Sequence, residues 1–291
     1  MALIEGVHVA ITTPLHEDHT VDLEGLRAHV EWLLSEGVHG LIPVGTCGEY
    51  AQLLDHERAE VVETVLDVAR GRVPVVVGVA APSTRQVVHW AQHAKDHGAT
   101  GIMALPPILY RAEWPEVVAH YEALDAIGLP IVLYNNPHDT SVDVTADRLG
   151  ELSRLPYLRA VKEFSQDIRR ITEIRATTRL EVVAGSDDLV LESLLAGATG
   201  WIAGMANIVP RQSIALYDLA RAGRVDEAWE VYRQLLPLLR WDSTSRLVQV
   251  IKYGMACVGR PVGPSRSPRL PLDSTEADLV AQAVKQAQGA A

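Results

Sequence analysis

The sequence predicts a (β/α)8 barrel followed by a C-terminal helical extension, an α/β protein. Three observations carry this. Eight short β-rich runs recur along residues 1–222, helical patterns separate them, and the runs are continuously apolar instead of alternating. Strands that are apolar on both faces belong to a parallel sheet covered by helices, and eight such units fit a closed barrel. The alternative is an open doubly wound sheet. No Gly-x-Gly-x-x-Gly follows the first run, which counts against its dinucleotide-binding version.

Each element has its own justification. Residues 6–12 form the first strand, closed by the breaker Thr13-Pro14. Asp22 caps a helix carrying Leu23, Leu26, Val30, Leu33 and Leu34 at helical spacing. The second strand, 39–44, ends in Gly45-Thr46-Cys47-Gly48-Glu49. A helix over 55–69 precedes a nearly all-apolar strand at 73–79. Ser83 caps a helix reaching about 97, and strand four, 101–105, is stopped by Pro106-Pro107. Helix 114–126 leads to strand five at 130–134, and a short helix at 145–152 to strand six at 158–162. Helix 168–176, strand seven at 181–184, helix 189–195, strand eight at 200–204 and helix 210–222 complete the barrel. Beyond it, 225–239 and 245–258 are helical with no strand between. A Pro/Gly/Ser-rich connector, 259–267, then reaches a last helix at about 274–287. Residues 1–222 are therefore the expected catalytic barrel and 223–291 the extension packed on it.

Bulk properties exclude several function classes. The chain is 48% hydrophobic and 22% charged, so it should bury a sizeable core. Its formal charge of −11, with no block of Lys or Arg, argues against nucleic-acid and anionic-membrane partners. Cys47 and Cys257 give neither a disulfide framework nor metal-ligand spacing, so a reducing cytoplasm is expected. No basic segment followed by an apolar run opens the sequence, and no stretch of ~18 apolar residues suggests a membrane span.

In such a barrel the strand C-termini share one mouth, so the residues there assemble the candidate site. Lys162 ends strand six. An ammonium is expensive to bury, and a free amine attacks carbonyls. An ordinary strand-end lysine paired with Glu163 is the plainer reading. Tyr134 ends the neighbouring strand, where a phenol could carry protons for carbonyl chemistry or serve only as a core tyrosine. The Gly45–Glu49 loop lets backbone N–H groups approach an anion, although glycine also suits a plain turn. Gly185, Ser186 and Asp187 follow strand seven, and Gly204, Ala206 and Asn207 follow strand eight. His89 and His93 have His-x-x-x-His spacing but fall on a helix expected outside the barrel, and no metal site is expected. No Ser-centred nucleophile elbow appears.

These residues carry a resemblance. Gly45-Thr46-Cys47-Gly48-Glu49, Tyr134-Asn135-Asn136-Pro137, Lys162-Glu163 and Gly185-Ser186-Asp187 resemble the motifs of the dihydrodipicolinate synthase / N-acetylneuraminate lyase family over essentially the whole chain. The resemblance implies a class I, Schiff-base-forming barrel with Lys162 as the imine-forming lysine. It implies Tyr134 as proton shuttle and Thr46 as its relay, with the backbone at Thr46 and Cys47 holding the 2-oxo carboxylate. It further implies no metal or organic cofactor and a homotetramer. Cys47, Gly48, Gly185, Ser186, Asn207, Asp139 and Tyr110 make up the expected substrate-binding set.

Three departures bear on the branch. Cys47 replaces a threonine, and a thiol is the weaker hydrogen-bond donor. Asp139 falls where synthases carry an arginine for the second substrate's carboxylate, which an aspartate would repel. The loop after strand four, Pro107-Ile108-Leu109-Tyr110, lacks the usual paired tyrosines. These departures count against a synthase, and Tyr134-Asn135-Asn136-Pro137, with Leu191-Glu192-Ser193-Leu194-Leu195 and Gly200-Trp201-Ile202-Ala203-Gly204, looks more like the family's catabolic branches, such as a 2-keto-3-deoxy sugar acid aldolase or dehydratase, or a 1-pyrroline-4-hydroxy-2-carboxylate deaminase. A true dihydrodipicolinate synthase and a non-catalytic small-molecule-binding barrel are the alternatives, with a metal-dependent barrel hydrolase or aldolase behind them.

Overall fold

The computed structural model of the chain describes residues 3–290. Eight parallel strands, β1 (Gly6–Ala10), β2 (Gly40–Ile42), β3 (Val76–Gly78), β4 (Gly101–Ala104), β5 (Ile131–Asn135), β6 (Leu158–Glu163), β7 (Glu181–Ala184) and β8 (Gly200–Ala203), form one sheet. Its order is β2-β1-β8-β7-β6-β5-β4-β3. A parallel bridge between Leu41 and Val75 and a 3.0 Å bond from the Gly78 N–H to the Pro43 carbonyl join the two ends, closing the barrel. Every strand is buried on both faces except at Arg159 and Glu181.

Helices α1 (Leu23–Ser35), α2 (Asp55–Ala69), α3 (Thr84–Asp96), α4 (Trp114–Asp125), α5 (Pro137–Thr140), α6 (Ala146–Leu152), α7 (Arg169–Thr177), α8 (Val190–Leu195) and α9 (Pro210–Arg221) ring the sheet. The predicted caps act as such: Asp22 accepts from the Gly25 N–H at 2.8 Å, and Ser83 from Gln86 at 3.4 Å. Element ends differ from the sequence expectation by a few residues, β1 stopping at Ala10 and β2 spanning only Gly40–Ile42, and two further differences have a local cause. β3 starts at Val76, later than expected, where Pro74 just before it has no N–H to pair, and it ends at Gly78. The turn after β5 winds into α5, whose cap Asn136 accepts from the Asp139 N–H at 3.2 Å.

The extension comprises α10 (Val225–Leu239), a 3₁₀ turn at Arg240–Ser243, α11 (Leu247–Cys257) and α12 (Ser274–Gln288). α10 packs on α9, and α12 packs on α10 and α11. The connector between α11 and α12 returns to the barrel mouth. There Arg266 bonds Glu57 through both of its terminal nitrogens, at 2.5 and 2.9 Å.

Candidate active site

Lys162 and Tyr134 are register partners across β5 and β6. The Lys162 Nζ lies 4.2 Å from the centroid of the Tyr134 ring and 5.9 Å from that of Phe164. Both side chains are buried at the floor of a cavity of about 530 Å³. A larger open depression, about 620 Å³, lies at the opposite strand ends beside Leu158 and Leu180. It holds no comparable nucleophile, so the mouth is the candidate site.

Glycine clears the way for the lysine. A Cβ on Gly185 would fall 2.5 Å from the Glu163 carbonyl oxygen and 3.1 Å from Lys162 Cγ. Behind β6, Glu163 accepts from Asn135 Nδ2 at 3.0 Å and from the Ser165 N–H at 2.6 Å. Glu163 thus faces Asn135 and the loop, and forms no ion pair with Lys162. Asn136 Nδ2 donates to the Tyr134 hydroxyl at 3.2 Å and to Asp139 Oδ2 at 2.8 Å. Burial, then the Asp242 and Asp139 carboxylates, push the Tyr134 phenol well above its usual range, so it stays protonated.

Gly45, Thr46 and Cys47 line the cavity from β2. Their turn closes through bonds from the Gly48 N–H to the Gly45 carbonyl and from the Glu49 N–H to the Thr46 carbonyl, both 3.1 Å. The N–H groups of Thr46 and Cys47 stay outside those bonds. The turn is entered through Val44 at φ 50, a left-handed conformation that a β-branched side chain resists. Burial pushes the Cys47 thiol up to about 12, so it is no nucleophile at neutral pH. Glu49 anchors the turn from below. Its carboxylate meets the Lys252 ammonium at 2.8 Å and accepts the Arg266 N–H at 2.9 Å.

Two acids complete the interior. Asp187 is fully buried and accepts from Trp201 Nε1 at 2.8 Å, the Met205 N–H at 2.8 Å and the Gly204 N–H at 3.1 Å. Asp242, from the 3₁₀ turn of the extension, lines the cavity and accepts the Asp187 N–H at 3.0 Å. Burial raises both carboxyls, Asp242 to about 6, with the Lys162 charge pulling the other way.

The structure gathers Lys162, Tyr134, Thr46, Cys47 and Asp139 around the cavity, while the other predicted site residues lie elsewhere. Gly48 supports the turn, where a Cβ would crowd the Ile11 carbonyl at 3.0 Å. Gly185 backs Lys162. Ser186 faces a separate small cleft beside Ile168. Asn207 is a buried pin: it accepts from the Thr12 N–H at 3.1 Å and donates to the Ala10 and Gly204 carbonyls, both at 2.8 Å. Tyr110 is 52% exposed and outside the cavity lining. Sequence reasoning missed Asp242, Arg269 and Ser243, Thr244 and Ser245, all supplied to the cavity lining by the extension. Only a contact between extension and mouth could have found them, and no strand-end rule points there.

Comparison with known proteins agrees over the whole length. A model of the Dihydrodipicolinate synthetase family matches residues 3–287. The chain is 36% identical to a 4-hydroxy-tetrahydrodipicolinate synthase of Methanospirillum hungatei JF-1 over 276 residues, covering 93% of this chain and 94% of that relative. It is 34% identical to one from Methanoculleus marisnigri, covering 95% and 97%. Among solved structures, a putative dihydrodipicolinate synthetase from Pseudomonas aeruginosa superposes with a TM-score of 0.94 at 32% identity, covering 98% and 99%. YagE, a prophage protein of the dihydrodipicolinic acid synthase family from E. coli K12 solved with pyruvate, gives 0.93 at 27% identity, covering 99% of each chain.

Proposed function

The chain belongs to the dihydrodipicolinate synthetase family, and on that footing we propose that it is a class I lyase acting on a 2-oxo acid held as a Schiff base on Lys162. The observation that carries the reading is the Lys162 amine facing the Tyr134 ring at 4.2 Å on the floor of a cavity at the strand C-termini. The amine adds to the ketone carbon, and the carbonyl oxygen departs as water. The resulting iminium takes up the electron pair left when a bond to the neighbouring carbon breaks. Tyr134, kept protonated by its surroundings, is the proton carrier for these steps, with Thr46 as its relay. The N–H groups of Thr46 and Cys47 receive the carboxylate, as the 2-oxo acid enters with its anionic end toward the turn.

The relatives' names support 4-hydroxy-tetrahydrodipicolinate synthase as the first activity to assay, ahead of the catabolic branch that the sequence reading favoured. The catabolic reading retains one specific support. Asp139 and Asp242 both line the cavity, with Arg269 the single guanidinium there among the described residues, a poor welcome for a second carboxylate. A homotetramer in the cytoplasm completes the proposal. Both cysteines are free, and among the described residues no helix is long and apolar enough to cross a membrane. Light scattering tests the assembly.

Borohydride reduction in the presence of pyruvate is the test. We expect a stable adduct on Lys162, absent from Lys162→Ala. Failure of every 2-oxo acid to leave an adduct, together with full turnover by Lys162→Ala, overturns the reading. Formation of 4-hydroxy-tetrahydrodipicolinate, set against cleavage of 2-keto-3-deoxy acids and pyrroline deamination, separates the branches.

A further inference from the structure

Away from the mouth, Glu63 on α2 faces His93 on α3 and His97, the residue that caps α3. We propose that these three side chains form a divalent transition-metal site of zinc type, clamping α2 to α3 on the outer wall of the barrel. Their ligand atoms all lie within 4.8 Å of one another. His93 Nε2 is 3.2 Å and His97 Nε2 3.5 Å from the same oxygen, Glu63 Oε1. A tetrahedral zinc with N and O ligands at ~2.1 Å holds its donors roughly 3.4 Å apart. Both histidine–carboxylate pairs therefore already stand at ligand spacing, and the two imidazole donors lie within 4.8 Å of each other.

The orientation of the rings agrees. The His97 Nδ1–H donates to the His93 carbonyl at 2.8 Å, which fixes the ring with Nε2 toward Glu63. Among the described residues His93 Nδ1 is buried without a partner, and that ring's only polar contact is through Nε2 toward Glu63. Trp90 packs edge-on against His93 at 5.7 Å and holds the ring in place. Here two rings, with centroids 4.2 Å apart, converge on one carboxylate oxygen. Two imidazoles and one carboxylate suit zinc, copper or nickel, not calcium or magnesium. The fourth position opens to solvent, because Glu63 and His97 are 47% and 40% exposed.

The test uses the full-length protein, stripped with EDTA and titrated with ZnCl2 against a chromophoric chelator. We expect one zinc per chain, a higher thermal midpoint with metal, and a strong visible absorption when Co²⁺ replaces zinc. Glu63→Gln and His97→Ala should each weaken uptake at least tenfold, while His89→Ala, one turn away, leaves it unchanged. Unfolding of the metal-free variants at the wild-type midpoint confirms that each is folded, and two partly exposed positions make the result independent of either one. No stoichiometric uptake at micromolar zinc, or uptake indifferent to both substitutions, overturns the proposal.

Discussion

Replacing Asp242 with asparagine should make the protein more stable at pH 8. Burial holds this carboxyl at about 6 where an ordinary aspartate lies at 3.8. The folded chain therefore keeps the proton to about pH 6, and the unfolded chain releases it near pH 4. Between those values the folded state binds more protons, so stability falls as pH rises, and above pH 6 the whole penalty is present. At 1.36 kcal/mol per pKa unit, it is about 3 kcal/mol. Asparagine removes the charge yet can still accept the Asp187 N–H that Asp242 holds at 3.0 Å. Denaturant unfolding of both proteins at pH 8 and pH 4.5 measures the effect. The variant should gain about 3 kcal/mol at pH 8, with most of the gain gone at pH 4.5. Turnover should fall, since a charge kept at such a penalty beside the Lys162 amine is expected to serve the cavity. Equal stability at pH 8, or a difference that does not change with pH, would refute the reasoning.

Tyr134→Phe should slow turnover by roughly 10²–10⁴-fold while Lys162 still forms a borohydride-trapped adduct, read by mass spectrometry alongside steady-state rates. Lys252→Met strands the buried Glu49 carboxylate and should destabilise the fold by about 3 kcal/mol by denaturant titration. That is the low end for a broken buried pair, because Glu49 keeps the Arg266 N–H. Asp139→Arg should raise synthase turnover if a second carboxylate is handled at this position; a change confined to catabolic substrates points to the other branch. Asn207→Leu leaves four polar partners without their bonds, His29 Nε2 among them at 2.9 Å, and should cost several kcal/mol in thermal or chemical unfolding.

The barrel was legible because its signal is periodic. Continuous apolar runs and capped helices reveal themselves locally, so all eight strands lie where the sequence puts them, with ends differing by a few residues. Lys162 and Tyr134 were legible for a topological reason: residues ending consecutive strands of a barrel must be neighbours, and these two are register partners. Asp242 was invisible to that rule. It stands 80 positions beyond Lys162, in a turn outside the repeating pattern, and only tertiary packing brings it to the mouth. Ser186 and Asn207 fail in the opposite sense. They do follow strands, but one turns to a side cleft and the other is consumed by hydrogen bonds between β1 and β8. The histidines show how spacing alone misleads: His89–His93 and His93–His97 share one interval, and only the second meets a carboxylate.

The Glu49 anchor has an evolutionary consequence. The Lys162 amine belongs to the repeating scaffold, whereas Asp242, the three residues after it and Arg269 arrive on a separate stretch of chain moored through Lys252, Arg266 and Arg269. Drift in that stretch can re-dress the entrance without disturbing the core around Lys162. New substrates could then be acquired by editing a faceplate, provided the mooring survives.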